Sequence, residues 1–484
     1  MSDTQELKNK AIKGMFWSFC ERFGTLFILF ISNIVLARLL TPENYGLIGM
    51  LMVFITISNI LIDGGFGAAL IQKNNPTERD YSTIFCVNSI VAFICYLVLF
   101  LSAPLIAKFY NQPELVILLR ILGLIIVIDA FSVVQNNILV KNLNFKKITI
   151  IKIIVASIAS TAAIISALCG LGVWSLVIQY ITNSTIRTIL LWTTTSWKPV
   201  LKFSKQSFRT LFGFGSKLLI ASLISEIYRN FQVLIIGKFF PAKEVGYFSQ
   251  AKQLENVPTS SIIAIVNQVT YPVFSQLQDS KDKMVSGIRR CIKTLASVNF
   301  PLMIFLAVIA EPLFVLLYSE KWLPSVPYFQ WLCVGFGLLL VVHNSNLSLL
   351  KALGRSDTVL KLEIVKKILG LIFIFSFMHF GVIGILWALA INSIIEFFLN
   401  GYFTGKYIGY GIIKQAEDII PVLLVAGISG VVCFVIPKLI PMHFILELVT
   451  KTVIFFLMYI SMLKLMKFES YEYIRQEIKK LLRK

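Results

Sequence analysis

Residues 81–104 read YSTIFCVNSIVAFICYLVLFLSAP, without a single charged side chain. As a helix this stretch would extend roughly 36 Å, enough to cross a hydrocarbon core of about 30 Å. A helix apolar on nearly every face needs lipid, not water, as its solvent. Similar segments centre near 13–39, 43–71, 114–139, 148–169, 172–193, 208–238, 244–276, 288–310, 323–350, 358–379, 382–405, 418–437 and 442–464. The reading is an all-α polytopic membrane protein of about fourteen transmembrane helices. Composition agrees, with 57% hydrophobic residues, 14% charged and a mean hydropathy of +0.80. A soluble domain carries about 25% charged residues.

The connections between segments are short, the longest about fifteen residues, so no loop houses a catalytic domain. No phosphate-cradling glycine loop precedes a GK[ST], and no nucleophile–base set or metal-ligand spacing appears. The chain therefore reads as a non-enzyme without a cofactor. Its seven cysteines stand singly, mostly inside apolar runs, and read as small packing residues. The first apolar run, from about Gly14 to Leu39, is too long for a cleavable signal peptide and no A-x-A site follows it.

The formal net charge of +20 raises nucleic acid as a partner. The distribution excludes it, because the basic residues form short patches between apolar runs. With the N-terminus placed in the cytoplasm, 32 lysines and arginines fall in cytoplasmic regions and 8 on the other side. That asymmetry is the positive-inside rule at work, and it places both termini in the cytoplasm. Two basic pieces, Trp197–Phe208 and the tail over 467–484, mix aromatic or aliphatic residues with lysines, as suits helices lying on an anionic phospholipid surface.

An internal repeat organises the spans. Leu36-Ala37-Arg38-Leu39-Leu40 is followed by Gly46, and two hundred residues later Ile236-Gly237-Lys238-Phe239-Phe240 is followed by Gly246. Both mark the end of an odd-numbered span and the start of the next. A displacement of six spans preserves orientation, so the chain divides into two parallel six-helix lobes plus two C-terminal helices. The expected boundaries are 1–196 for the first lobe, 197–409 for an amphipathic linker and second lobe, 410–466 for spans 13 and 14, and 467–484 for the tail.

Charges inside spans are costly, about 2.5–3.5 kcal/mol each on insertion scales, and normally face a cavity or a partner. They concentrate on the repeat-related spans: Glu21 and Arg22 in span 1, Asp63 in span 2, Lys217, Glu226 and Arg229 in span 7, Lys252 and Glu255 in span 8. Asp129, Arg187 and Glu396 lie in spans 4, 6 and 12. Glu226 with Arg229, and Lys252 with Glu255, have i,i+3 spacing and can neutralise each other as structural pairs. Arg22, Arg187 and Lys217 have no opposite charge at helical spacing. Cations facing a cavity would attract an anion, and arginine grips phosphate oxygens in bidentate fashion, so a diphosphate is the natural candidate. Arg22, Lys217, Arg229, Arg187 and Lys252 are therefore the candidate substrate-binding residues. Glu21, Asp63, Glu226 and Glu255 are candidate coupling carboxylates or charge partners, with Asp63 read as a partner of Arg22 ahead of an ion-coupling role. His343 reads as a buried, hydrogen-bonded histidine.

Several blocks resemble a known family. Gly14-Met15-Phe16-Trp17-Ser18, Glu21-Arg22 and Leu36-Ala37-Arg38-Leu39-Leu40-Thr41-Pro42 resemble the first-span signature of Wzx-type polysaccharide-unit flippases. The branch with colanic acid and teichuronic acid exporters is the nearest in look. Asp63-Gly64-Gly65-Phe66-Gly67-Ala68-Ala69-Leu70-Ile71-Gln72, Gly246-Tyr247-Phe248-Ser249-Gln250-Ala251, Tyr271-Pro272-Val273-Phe274-Ser275, Glu320-Lys321-Trp322 and Ala352-Leu353-Gly354-Arg355 continue it. Phe248 stands where the family often has a second tyrosine. The resemblance implies a MATE-like fold in the multidrug and oligosaccharidyl-lipid exporter superfamily. It implies an inner-membrane protein that moves an undecaprenyl-diphosphate-linked oligosaccharide to the periplasmic leaflet by alternating access, driven by a proton or sodium gradient, alongside polymerase and export machinery. The rival readings are a multidrug or cation antiporter, whose cavity should be acidic, and a glycosyl polymerase or ligase, which should carry a large periplasmic catalytic loop.

Overall fold

The computed structural model describes residues 2–73, 76–200, 203–277, 280–439 and 443–466, and the expected basic tail over 467–484 lies outside the described residues. Among the described residues every regular element is helical. The chain separates into two compact units, Met1–Gly246 and Tyr247–Lys484. The first holds α1 (Ser2–Leu39), α2 (Pro42–Asp63), α3 (Phe66–Gln72), α4 (Glu78–Tyr110), α5 (Leu115–Leu122), α6 (Leu124–Lys141), α7 (Phe145–Leu168), α8 (Val173–Thr194) and α9 (Lys205–Phe239). The second begins within α10 (Ala242–Gln276). It continues with α11 (Lys281–Val308), α12 (Ala310–Tyr318), α13 (Ser325–Trp331), α14 (Leu340–Ala352), α15 (Ser356–Phe377), α16 (Gly381–Ile408), α17 (Ile412–Leu439) and α18 (Phe444–Leu465).

Helix lies over every segment expected to span the membrane. Eleven stretches among the described residues are long and apolar enough to cross a bilayer, and one of them, Ser356–Ile408, contains both α15 and α16. The run that opened the sequence reading is α4. One face of it exposes Ile90, Phe93, Ile94, Leu97, Leu101 and Leu105, a stripe at helical spacing that only lipid would solvate. The opposite face buries Ile84, Phe85, Ala92 and Ala103.

Local chemistry sets the helix starts. Thr41 caps α2 by accepting the Asn44 N–H, with Pro42 at the first helical position. Thr77 and Asp80 form a capping box at α4, and Lys73 Nζ adds an ion pair to Asp80 at 2.7 Å. Gly64 and Gly65 both have positive φ, 55° and 71°, and break the second span into α2 and α3. Lys141 then donates to the carbonyls of Leu70 at 2.9 Å and Lys73 at 2.5 Å, satisfying the end of the short α3.

In the first unit α1 lies along α7, α7 along α8, and α9 against α2 and α4. Residues 195–200 form no regular element, and of the helix expected over Trp197–Phe208 only the part from Lys205 on is helical, as the start of α9. The stretch is tied to α4 at several points. Val200 N–H donates to Ser82 Oγ, Ser204 N–H donates to Thr83 Oγ1, and the Trp197 ring packs on Tyr81 and Phe85.

The two repeat-related turns meet. A Cβ on Gly46 would come within 1.8 Å of the Ala242 carbonyl oxygen, and one on Gly246 within 1.8 Å of the Pro42 carbonyl oxygen. Each contact is the other displaced by two hundred residues, a reciprocal crossing of the first turns of α2 and α10 that only glycine permits.

In the second unit α17 packs on α11 and α18. Tyr459 of α18 donates its hydroxyl to the Ser297 carbonyl on α11 at 2.8 Å. A π-helical segment, Leu332–Gly337, separates α13 from α14, and Asn299 Nδ2 donates to the carbonyls of Gly337 and Leu338 at 2.9 Å each.

Candidate functional site

In the first unit, the ends of α2, α6, α7 and α8 surround a polar cavity of about 270 Å³. Asp63, Ser132, Asn136, Asn137, Lys152 and Arg187 supply its polar lining, and Ile148, Ile151 and Leu191 part of its apolar wall. That wall belongs to a core cluster with Leu139 and Val155, so the packing of α6, α7 and α8 holds the polar groups in place. Asp63, the last residue of α2, accepts the backbone N–H groups of Gly65 and Gly67. A side chain at Gly67 would press on Asp63 Oδ1 at 2.9 Å and Asn137 Nδ2 at 3.1 Å.

Both cations lining this cavity hold a carboxylate. Arg187 Nη2 lies 2.7 Å from Asp129 Oδ1, which also accepts from Ser184 Oγ. Lys152 Nζ lies 2.6 Å from Glu21 Oε1. Arg187, read from helical spacing as lacking a neighbour, therefore has a partner fifty-eight residues away, because α6 packs against α8. Lys152, counted among the loop cations, stands inside α7. Two donors remain unused: Arg187 Nε and Asn137 Nδ2 are buried atoms with no hydrogen-bond partner.

The other candidates divide by exposure. Arg22 on α1 and Lys217 on α9 are exposed. Arg229 pairs with Glu226 as the spacing anticipated, its side chain 70% exposed while that of Glu226 is 7% exposed. Asn230 Nδ2 donates to the second Glu226 oxygen at 2.7 Å, so the buried carboxylate is held from two sides and the guanidinium is presented outward. In the second unit Lys252 Nζ lies 5.5 Å from the Phe248 ring centroid, over its face. Glu255, one helical turn on, is buried against the π-helical segment, where its Oε1 would lie 3.2 Å from a Cβ on Gly337.

The second unit holds further ion pairs, most of them between positions far apart in the sequence. Asp418 receives Arg289 through Nε at 2.8 Å and Nη2 at 2.9 Å, Lys293 at 3.2 Å and the Tyr410 hydroxyl at 2.8 Å. Lys366 is buried between Glu363 at 2.6 Å and Glu396 at 3.9 Å. Asn392 donates to Glu396 at 2.9 Å, and buried His343 shares a 3.1 Å hydrogen bond with Ser393. Between the spans, burial lowers the Lys321 ammonium below the ordinary lysine range. Among the described residues no group of three or more histidine, cysteine or acidic side chains is arranged to hold a metal ion.

The fold is similar to that of the lipid II flippase MurJ in its inward closed conformation, with a TM-score of 0.71, 14% identity and coverage of 94% of this chain and 100% of that one. It is also similar to an inward-facing multidrug resistance MATE family transporter, with a TM-score of 0.58, 14% identity and coverage of 82% and 95%. The expected MATE-like architecture is thus the observed one. The teichuronic acid biosynthesis protein TuaB of Bacillus subtilis (strain 168) is 26% identical over 431 residues, 88% of this chain and 89% of its own. The lipopolysaccharide biosynthesis protein WzxC of Escherichia coli (strain K12) is 27% identical over 365 residues, 75% of this chain and 74% of its own. These relatives bear out the resemblance read from the sequence blocks. Residues 35–327 match the family described as "Polysaccharide biosynthesis protein", and the chain belongs to that family.

Proposed function

We propose that this protein is a flippase that carries a lipid-linked oligosaccharide across the membrane for the synthesis of a cell-surface polysaccharide. The observation that carries the reading is the family match over residues 35–327, in a chain whose described residues are almost entirely apolar-faced helices. The cargo is an undecaprenyl-diphosphate-linked oligosaccharide, and movement runs from the cytoplasmic to the periplasmic leaflet of the inner membrane, with both termini cytoplasmic. The basic asymmetry of the loops supports that orientation.

In this reading the diphosphate docks on Arg22, Lys217 and Arg229, all exposed cations of the first unit. Exposed guanidinium and ammonium groups are within reach of phosphate oxygens and give them charge-assisted hydrogen bonds. Lys252 is assigned the same role in the second unit, and Asp63, Glu226 and Glu255 serve as charge partners or proton- or sodium-coupling carboxylates. A MATE-like fold is shared by drug transporters, so fold alone does not separate flippase from multidrug antiporter. The cations at the candidate sites favour an anionic cargo over a cationic drug.

The test is a strain lacking this protein. Loss of surface polymer with intact repeat units retained in the cytoplasmic leaflet is the expected result. Repeat units that reach the periplasm and fail only to be polymerised would overturn the reading in favour of a polymerase. Alanine at Arg22, Lys217 and Arg229 together is expected to abolish export while protein level is maintained, and unchanged export would remove the diphosphate assignment.

A further inference from the structure

Building on the flippase reading, we propose that the cavity at the ends of α2, α6, α7 and α8 is a subsite for a neutral sugar ring of the cargo, not for its diphosphate. Arg187 and Lys152 line the space, yet each already holds a carboxylate, Asp129 at 2.7 Å and Glu21 at 2.6 Å. Asp63 adds a further negative charge with no lysine or arginine beyond these two in the lining. A diphosphate entering here would meet Asp63 and would have to displace Glu21 and Asp129 from their cations, losing as much electrostatic energy as it gained. A small cation would meet a single carboxylate outside these pairs, Asp63, which already accepts the Gly65 and Gly67 N–H groups.

A sugar ring has no charge to neutralise. It needs donors and acceptors alternating around a small polar space with one apolar wall. Asp63 offers acceptor lone pairs, Asn136 and Asn137 offer both kinds, and Ser132 and Arg187 add donors. Arg187 Nε and Asn137 Nδ2 are buried without partners, and a buried donor left unpaired is destabilising. A ligand hydroxyl would satisfy both. The cavity of about 270 Å³ lies at the lower end of ligand-pocket size and suits a single ring, leaving the rest of an oligosaccharide outside.

The experiment uses the full chain in lipid nanodiscs and two probes. One is the polyprenyl-linked saccharide extracted from membranes of the producing strain, and the other is undecaprenyl diphosphate without sugar. The wild-type protein is expected to bind the saccharide-bearing probe at least tenfold more tightly. Asn136→Leu/Asn137→Leu, which fills the cavity and removes both amides, is expected to erase that preference and leave affinity for the bare diphosphate unchanged. Should this variant fail to fold, Asn137→Ala provides the same comparison by opening space instead of filling it. A preference that survives the substitutions, an equal loss toward both probes, or no preference in the wild type would each overturn the sugar subsite. A wild-type protein that binds neither probe would instead overturn the flippase reading.

Discussion

Single side chains settle how this chain tolerates charge inside its helices. Asp418 is 4% exposed and neutralises Arg289 and Lys293 together while accepting the Tyr410 hydroxyl. Its removal takes one carboxylate from Arg289, Lys293 and the Tyr410 hydroxyl at once, so Asp418→Ala is expected to cost about 2–3 kcal/mol. Arg289 is half exposed, and Arg289→Ala leaves Lys293 and Tyr410 in place, so screening holds its cost to about 1 kcal/mol. Melting temperatures in detergent would rank the two, and equal shifts would contradict the assignment. Lys366 makes a second case. Buried between Glu363 and Glu396, it should show a coupling of about 0.5–3 kcal/mol in a double-mutant cycle of Lys366→Met with Glu396→Gln. Additive stability losses would show that the two do not interact. The residue types were legible in the sequence, and so was the i,i+3 spacing of Glu363 and Lys366, but the distant partners were not. Arg289 and Asp418 are 129 positions apart, and no periodicity connects them.

At the scale of elements, glycine decides where helices approach. Gly46 and Gly246 each sit against a carbonyl oxygen of the other turn, where a methyl group would intrude at 1.8 Å. Gly65 is a related case: it has positive φ, and a Cβ there would lie 2.3 Å from the Gly215 carbonyl oxygen. Overpacking costs about 1–3 kcal/mol where neighbours can yield, and backbone atoms yield little. Gly46→Ala and Gly246→Ala are therefore each expected to lower stability by about 3 kcal/mol. Gly213, also helical, has open space where a methyl group would stand, with nothing within 4 Å, so Gly213→Ala should raise stability by about 0.5–1 kcal/mol. Thermal melts of the three variants check the contrast, and a well-tolerated Gly46→Ala would show that the turns do not cross so closely. The repeat that joins residues 46 and 246 was legible from the sequence. That the two copies touch was not, because equivalence in sequence says nothing about contact.

At the scale of the whole molecule, the loops orient the helices. The connection between α4 and α5 is poor in basic residues, whereas that between α6 and α7 carries Lys141, Lys146 and Lys147 at its ends. With the native cysteines replaced, Gln112→Cys should react with an impermeant maleimide added to spheroplasts, and Asn142→Cys only after permeabilisation. The reverse pattern would invert the topology and with it the direction proposed for transport. Some cations counted toward that asymmetry, such as Lys152 and Lys366, lie inside helices and are neutralised there. Without these two the count is still 30 against 8.

Sequence alone determined that the chain lives in lipid, where its helices fall, that the turns at Gly46 and Gly246 correspond and which family it resembles. Those properties depend on composition, local periodicity and blocks of neighbouring residues, all of which act along the chain. Tertiary structure decided what the charges do. Arg187 became an ion pair instead of a free cation, residues 195–200 became a strap bound to α4, and Asn136, Asn137 and Lys152 joined Asp63 around one cavity. Each of these outcomes depends on which helices pack together, and in a low-dielectric medium a distant partner a few ångströms away outweighs any neighbour in sequence.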